Sequence, residues 1–71
     1  MLNHIKEYRK RYNLTQEELA NKLGVTRQTI IAIENNKYNP TLELAMRLSK
    51  YLEVTMEELF ILAQDEPIKK V

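Results

Sequence analysis

Two neighbouring residues, Arg27 and Gln28, follow Thr26 at the start of the segment TRQTIIAIEN. Their shared chemistry is planar, two-point hydrogen bonding. The guanidinium fork of Arg27 can bond O6 and N7 of one guanine together, and the carboxamide of Gln28 can pair with N6 and N7 of one adenine. Both base edges are open to a helix lying in the major groove of duplex DNA. The plainer reading of Arg27 is a phosphate contact or a solvated charge.

The elements that must hold these side chains outward lie in residues 16–35, QEELANKLGVTRQTIIAIEN. Ala20 and Gly24 stand four apart, with Leu19, Leu23, Val25, Ile30 and Ile33 around them. Two helices crossing steeply over a tight turn need this arrangement. Ala20 permits close approach, and Gly24 can take the left-handed conformation that ends a helix. The apolar positions bury the underside of both helices and leave Arg27, Gln28, Ile31, Ala32 and Asn35 on the free side. The alternative is an ordinary helical hairpin of a small bundle.

With 71 residues the chain makes one domain, and its core is small. No cysteine is present to add a disulfide or a thiolate zinc site. One glycine, two prolines and an abundance of Leu, Glu, Lys, Ala and Gln predict an all-α fold. No apolar run is long enough to span a membrane. The charges near the start, Lys6, Glu7, Arg9, Lys10 and Arg11, interrupt any signal-like stretch. A cytoplasmic protein is expected, with no membrane partner. Residues 1–37 carry seven Lys/Arg and four Glu, a net of +3, and residues 38–71 carry four Lys/Arg and six acids, a net of −2. The polarity is modest, and it places the basic half with the two crossed helices.

Caps and periodicity predict five helices. The first runs from Leu2 to Tyr12, with Leu2, Ile5, Tyr8 and Tyr12 on one stripe, and Asn13 as a left-handed terminator. Thr15 with Glu18 is a capping box that opens the second, which ends at Leu23. Thr26 caps the third, which ends near Glu34 or Asn35. The polar segment from Asn35 to Pro40 is a loop. Thr41 caps the fourth, which runs to Leu52 with Leu42, Ala45, Leu48 and Leu52 buried. Thr55 with Glu58 repeats the capping box before a fifth helix from Met56 to Ala63. The domain is placed at residues 1–63. Residues 64–71, containing Pro67, form a tail that is loose or contributes to a dimer.

The stretches LTQEELANKLGVTRQTIIAIEN, KYNPT and LELAMRLSKYLEVTMEELF resemble the Cro/lambda-repressor-type helix-turn-helix regulators of the Xre family. The resemblance covers residues 2 to about 62. It implies a five-helix lambda-repressor-like fold that binds double-stranded DNA as a two-fold dimer, with half-sites about 34 Å apart. It also implies base reading by Arg27, Gln28 and Ala32, where Ala32 offers only a methyl. Gln16 would bond a phosphate and buttress a reading side chain. Asn35, Asn36 and Lys37 would touch the sugar-phosphate backbone. Arg9 and Glu34 would form a partly buried pair between the first and third helices.

The residues themselves leave alternatives. Thr29 can meet a phosphate or fill the helix interface. Ile31 can touch a thymine methyl or pack under the loop from Lys37 to Asn39. Gln16 lies one residue past a cap, where free N–H groups and the helix dipole attract phosphate. Lys37 is a phosphate clamp or a solvated lysine. Asn36 can hold a turn, and Tyr38 can bury its ring with the hydroxyl at the surface. In the run Leu59 to Leu62, Leu59 and Leu62 are expected to face the core. Phe60, Ile61, Ile68 and Val71 are candidates for a homodimer seam or fill the small core.

Enzyme chemistry is not expected. His4 has no second soft ligand for a metal site, Glu17 and Glu18 point to different faces, and one glycine cannot build a phosphate-cradling loop. No cofactor, metal or small-molecule ligand is implied. The leading expectation is a sequence-specific DNA-binding transcriptional regulator, a repressor acting by occlusion. The other is a protein-interaction module: the DNA-binding antitoxin of a toxin–antitoxin pair, or a coactivator bridge.

Overall fold

A computed structural model describes residues 1–62. The elements run β1 (Leu2–Asn3), α1 (Ile5–Arg11), α2 (Gln16–Leu23), α3 (Arg27–Glu34), α4 (Leu42–Tyr51), α5 (Met56–Leu59) and β2 (Phe60–Ile61). The five expected helices are present, and the starts of α2, α3, α4 and α5 follow the threonines. Thr15, Thr26, Thr41 and Thr55 each accept a hydrogen bond from the backbone N–H three residues on. Both capping boxes form, because Glu18 and Glu58 reach back to the N–H of Thr15 and Thr55.

α2 ends where Gly24 turns left-handed at φ 71°. No heavy atom would crowd a Cβ there, so the backbone angle alone favours glycine. The N–H of Val25 then reaches the carbonyl of Ala20, closing the cap. Asn13 ends α1 in the same conformation, at φ 55°. The core brings Ile5 together with Leu19, Ala20, Leu23, Ile30, Ile33, Leu44, Leu48, Leu52 and Leu59. Tyr8, Leu14, Val25, Val54 and Phe60 close its rim.

Four expectations need correction. Leu2 and Asn3 are extended, not helical, and pair antiparallel with Ile61 and Phe60. α1 starts only at Ile5, whose N–H is held by the side-chain carbonyl of Asn3 at 3.1 Å. α5 stops at Leu59 because Phe60 is already extended, at φ −116° and ψ 141°. An apolar, aromatic-led pair suits a strand better than a helix end. Leu62 is exposed, not in the core. Ala63, Ile68, Val71 and the expected tail lie outside the described residues.

The remaining corrections concern which faces are buried. Leu42 is 69% exposed. The inward row of α4 is Leu44, Leu48 and Leu52 with Ala45 beside it, so Leu42 and Met46 lie on the outer row. Tyr12 keeps its ring near the surface while its hydroxyl donates to the Leu52 carbonyl at 3.2 Å. Tyr38 is also exposed rather than ring-buried.

Candidate nucleic-acid interface

The interface is built on α3, eight residues held by two devices at its ends. At the start, Thr26 Oγ1 accepts the N–H of Thr29 at 3.3 Å. The same oxygen lies 3.0 Å from Thr29 Oγ1. Thr29 is half-buried, and its hydroxyl is therefore engaged in the cap. At the end, Asn35 is the cap residue and Asn36 is left-handed at φ 60°. The N–H of Lys37 reaches back to Ala32 at 2.9 Å, and that of Asn36 to Ile33 at 3.0 Å. This is the two-bond closure that ends a helix on a left-handed residue, with asparagine in place of glycine.

Ile30 and Ile33 are buried beneath α3, and Ile31 and Ala32 are half-buried on its flank. Arg27, Gln28, Asn35, Asn36 and Lys37 are exposed. The free face therefore starts with an arginine and a glutamine and ends with two asparagines and a lysine. The first turn of α3 contains no acidic residue, whereas those of α1, α2, α4 and α5 contain Glu7, Glu17/Glu18, Glu43 and Glu57/Glu58. The positive end of the α3 dipole therefore has no carboxylate from its own first turn.

Behind this face sits a charged network. Arg9 Nε donates to Glu34 Oε2 at 2.7 Å, and its Nη2 donates to Oε1 at 3.2 Å. The third arm, Nη1, donates to the Leu14 carbonyl at 2.8 Å. The Glu34 side chain is 4% exposed and that of Arg9 10%. Two-point geometry and a partner for each guanidinium nitrogen suit a desolvated ion pair. Gln16 Nε2 joins by donating to Glu34 Oε1 at 3.1 Å. That bond ties the start of α2 to the end of α3 and uses one of the two amide hydrogens of Gln16. Arg27 and Gln16 line one open cleft with Arg9, Thr15 and Glu17.

The carboxyls of Glu18 and Glu58 are held below the ordinary glutamate value, first by hydrogen bonds from the threonine backbone and then by those from the threonine hydroxyls. The Tyr12 hydroxyl is pushed up, chiefly by its hydrogen bond to Glu53. None of these groups is on the free face of α3.

The sequence reading missed Asn3. Its Nδ2 donates to the Ile33 carbonyl at 2.8 Å and to Asn36 Oδ1 at 3.3 Å, while its Oδ1 accepts from Ile5. The available signal was an asparagine two residues ahead of a helix start, a residue type whose side chain bonds the backbone N–H two residues on. Of the seam candidates, Phe60 packs against the core and is half-buried, and Ile61 is exposed.

Two short helices packed together across a tight turn, the second presenting a polar outer face, define a helix-turn-helix protein. The family described as Helix-turn-helix matches residues 5–59. An uncharacterized HTH-type transcriptional regulator of Methanocaldococcus jannaschii is 56% identical over 66 residues, covering 93% of this chain and all of that protein. Another, from Bacillus subtilis, is 43% identical over 65 residues, covering 92% of this chain and 98% of its own. Among solved structures, the restriction-modification controller protein C.AhdI of Aeromonas hydrophila superimposes with a TM-score of 0.71 at 30% identity, over 79% of this chain and 81% of its own. A LexA repressor structure from Eubacterium rectale, at 24% identity and a TM-score of 0.74 over 94% of this chain and 70% of its own, shares the fold. The chain belongs to the Xre family of helix-turn-helix transcriptional regulators, with a DNA-binding helix-turn-helix domain.

Proposed function

We propose that this regulator binds a specific two-fold duplex site as a homodimer and represses by excluding polymerase. The observation that carries the reading is the exposed, acid-free start of α3, led by Arg27 and Gln28. Arg27 and Gln28 read base edges, and the half-buried Ala32 offers a methyl to a thymine. Lys37, Asn35, Asn36 and Gln16 hold the sugar-phosphate backbone, Gln16 through its remaining amide hydrogen. Thr29 contributes least, since its hydroxyl is already engaged.

Dimerisation is supported by apolar surface that the described residues leave open. Ile61, Leu62, Leu2, Leu42 and Met46 are all exposed, and Met1, Pro40, Leu42, Met56 and Phe60 line one shallow hollow. Exposed apolar area of this kind marks a protein contact. A seam there would involve Phe60 and Ile61, and Ile68 and Val71 remain candidates for it. Repression is supported by a relative: the phage transcriptional repressor RstR of Vibrio cholerae is 38% identical over 55 residues, although this chain covers only 50% of it.

Selection of bound sites from random duplexes tests the proposal. Recovery of an inverted repeat with half-sites about one helical turn apart is the expected result. Recovery of no preferred sequence overturns it. Stable co-purification with a different protein would favour the interaction-module reading instead.

A further inference from the structure

We propose that Asn3 is a positioning residue for DNA binding: it sets the end of α3 and the Asn35–Lys37 loop without touching DNA itself. The inference rests on the reading that this loop contacts the phosphate backbone. Asn3 uses three polar valences at once. Its Nδ2 donates to Ile33 O at 2.8 Å and Asn36 Oδ1 at 3.3 Å, and its Oδ1 accepts from Ile5 N–H at 3.1 Å. The amide orientation is fixed by chemistry, because a backbone N–H only donates and a carbonyl only accepts.

The position of Asn3 makes these bonds consequential. It is the β1 residue paired with Phe60, so its backbone is anchored to the other end of the domain. From there its side chain reaches the last turn of α3, 30 positions away in sequence. The carbonyl of Ile33 is one of the orphan acceptors of a helix end. It accepts both the Asn36 N–H and the Asn3 amide, which fills its two lone pairs. Asn36 carries the left-handed angle that turns the chain out of α3, and Lys37 follows it. A two-turn helix ending on a non-glycine left-handed residue frays readily unless something outside the helix pins it. Asn3 supplies that pin at both the carbonyl and the side chain. Lys37 is exposed and makes no salt bridge among the described residues, so its location depends on the backbone beneath it.

The test is binding to a mixed-sequence duplex across a salt series, which reads backbone contacts independently of base recognition. Asn3→Ser keeps an oxygen near Ile5 but cannot span to Ile33. Asn36→Gly keeps the left-handed angle and removes the acceptor. Each should weaken binding about fivefold, the equivalent of about one hydrogen bond. Each should also flatten the dependence of log K on log salt, by up to about one unit. Lys37→Ala should flatten it by about one unit alone, and adding Asn3→Ser to Lys37→Ala should cost less than about twofold more. An Asn3→Ser loss of the same size with and without Lys37 overturns the proposal, as does an unchanged salt slope in Asn36→Gly. A Lys37→Ala protein with the parent's slope removes the loop from the DNA and overturns both readings, a result distinct from simple additivity. If Asn3→Ser does not fold, Asn36→Gly carries the test through its salt slope alone, because losing a neutral Asn36 contact leaves the slope unchanged whereas a displaced Lys37 flattens it.

Discussion

The two helices that cross over Gly24 begin in opposite ways. α2 starts with a complete capping box and two acidic residues, Glu17 and Glu18, in its first turn. α3 starts with a threonine cap alone, no acid, and an exposed arginine and glutamine. A carboxylate near a helix N-terminus stabilises it by about 0.3–1 kcal/mol, so α3 forgoes stability that its neighbour takes. The difference separates a helix start used to hold the fold from one left available to an anion. The Arg9–Glu34–Gln16 network joins the two by fixing the start of α2 to the far end of α3.

The largest expected effect comes from cutting that joint. Arg9→Met leaves the Glu34 carboxylate buried without its ion-pair partner and should cost about 3–5 kcal/mol in chemical denaturation. A loss below about 1 kcal/mol would mean that the pair is no better than a surface bridge. Next in size is Gln28→Glu, which gives α3 the acid that α2 already has. It should weaken duplex binding by about 1–3 kcal/mol while leaving thermal stability equal or higher. If binding is unchanged, the acid-free start has no role in DNA recognition. Smaller again are the caps. Thr15→Ala and Thr26→Ala should each lower stability by about 1 kcal/mol, with the larger loss at Thr26, because Glu18 keeps its bond to the backbone N–H at position 15 whereas the Thr29 hydroxyl loses its partner in Thr26. Equal losses in thermal melts would remove the distinction between the two starts.

The smallest effect is a pH dependence confined to the capping boxes. Glu18 and Glu58 have folded values below their unfolded ones. Their contribution is complete above the ordinary glutamate range and is lost as pH falls through the depressed folded values. The melting temperature of Glu18→Gln should lie below the parent's at neutral pH and approach it in acid. A gap that is constant with pH would show that the Glu18 charge contributes nothing.

The helix starts were legible because each is written locally. A threonine followed three residues later by an N–H, or by a glutamate that reaches back, states its own boundary at 15, 26, 41 and 55. Gly24 and Asn13 were equally plain, since few residue types tolerate the left-handed angle. The β1–β2 ladder was not legible. Leu2–Asn3 and Phe60–Ile61 are two-residue strands paired across nearly the whole described chain, and no periodicity exists over two residues. Leu42 was misplaced because a helix stripe read from spacing alone can be shifted by one row, and only the position of Leu44 against the core decides it. Arg27 and Gln28 were legible as outward residues because Ile30 and Ile33 fix the opposite face. Asn3 was not, since its partners at Ile33 and Asn36 become neighbours only after the strand pairs.

The most direct test of the central claim compares two duplexes and two proteins. The parent and Arg27→Ala are titrated, at one salt concentration, with a selected site and with the same composition scrambled. The account predicts that Arg27→Ala loses about 1–3 kcal/mol more on the selected site than on the scrambled one. An equal loss on both duplexes would contradict it and reduce Arg27 to a contact with the phosphate backbone.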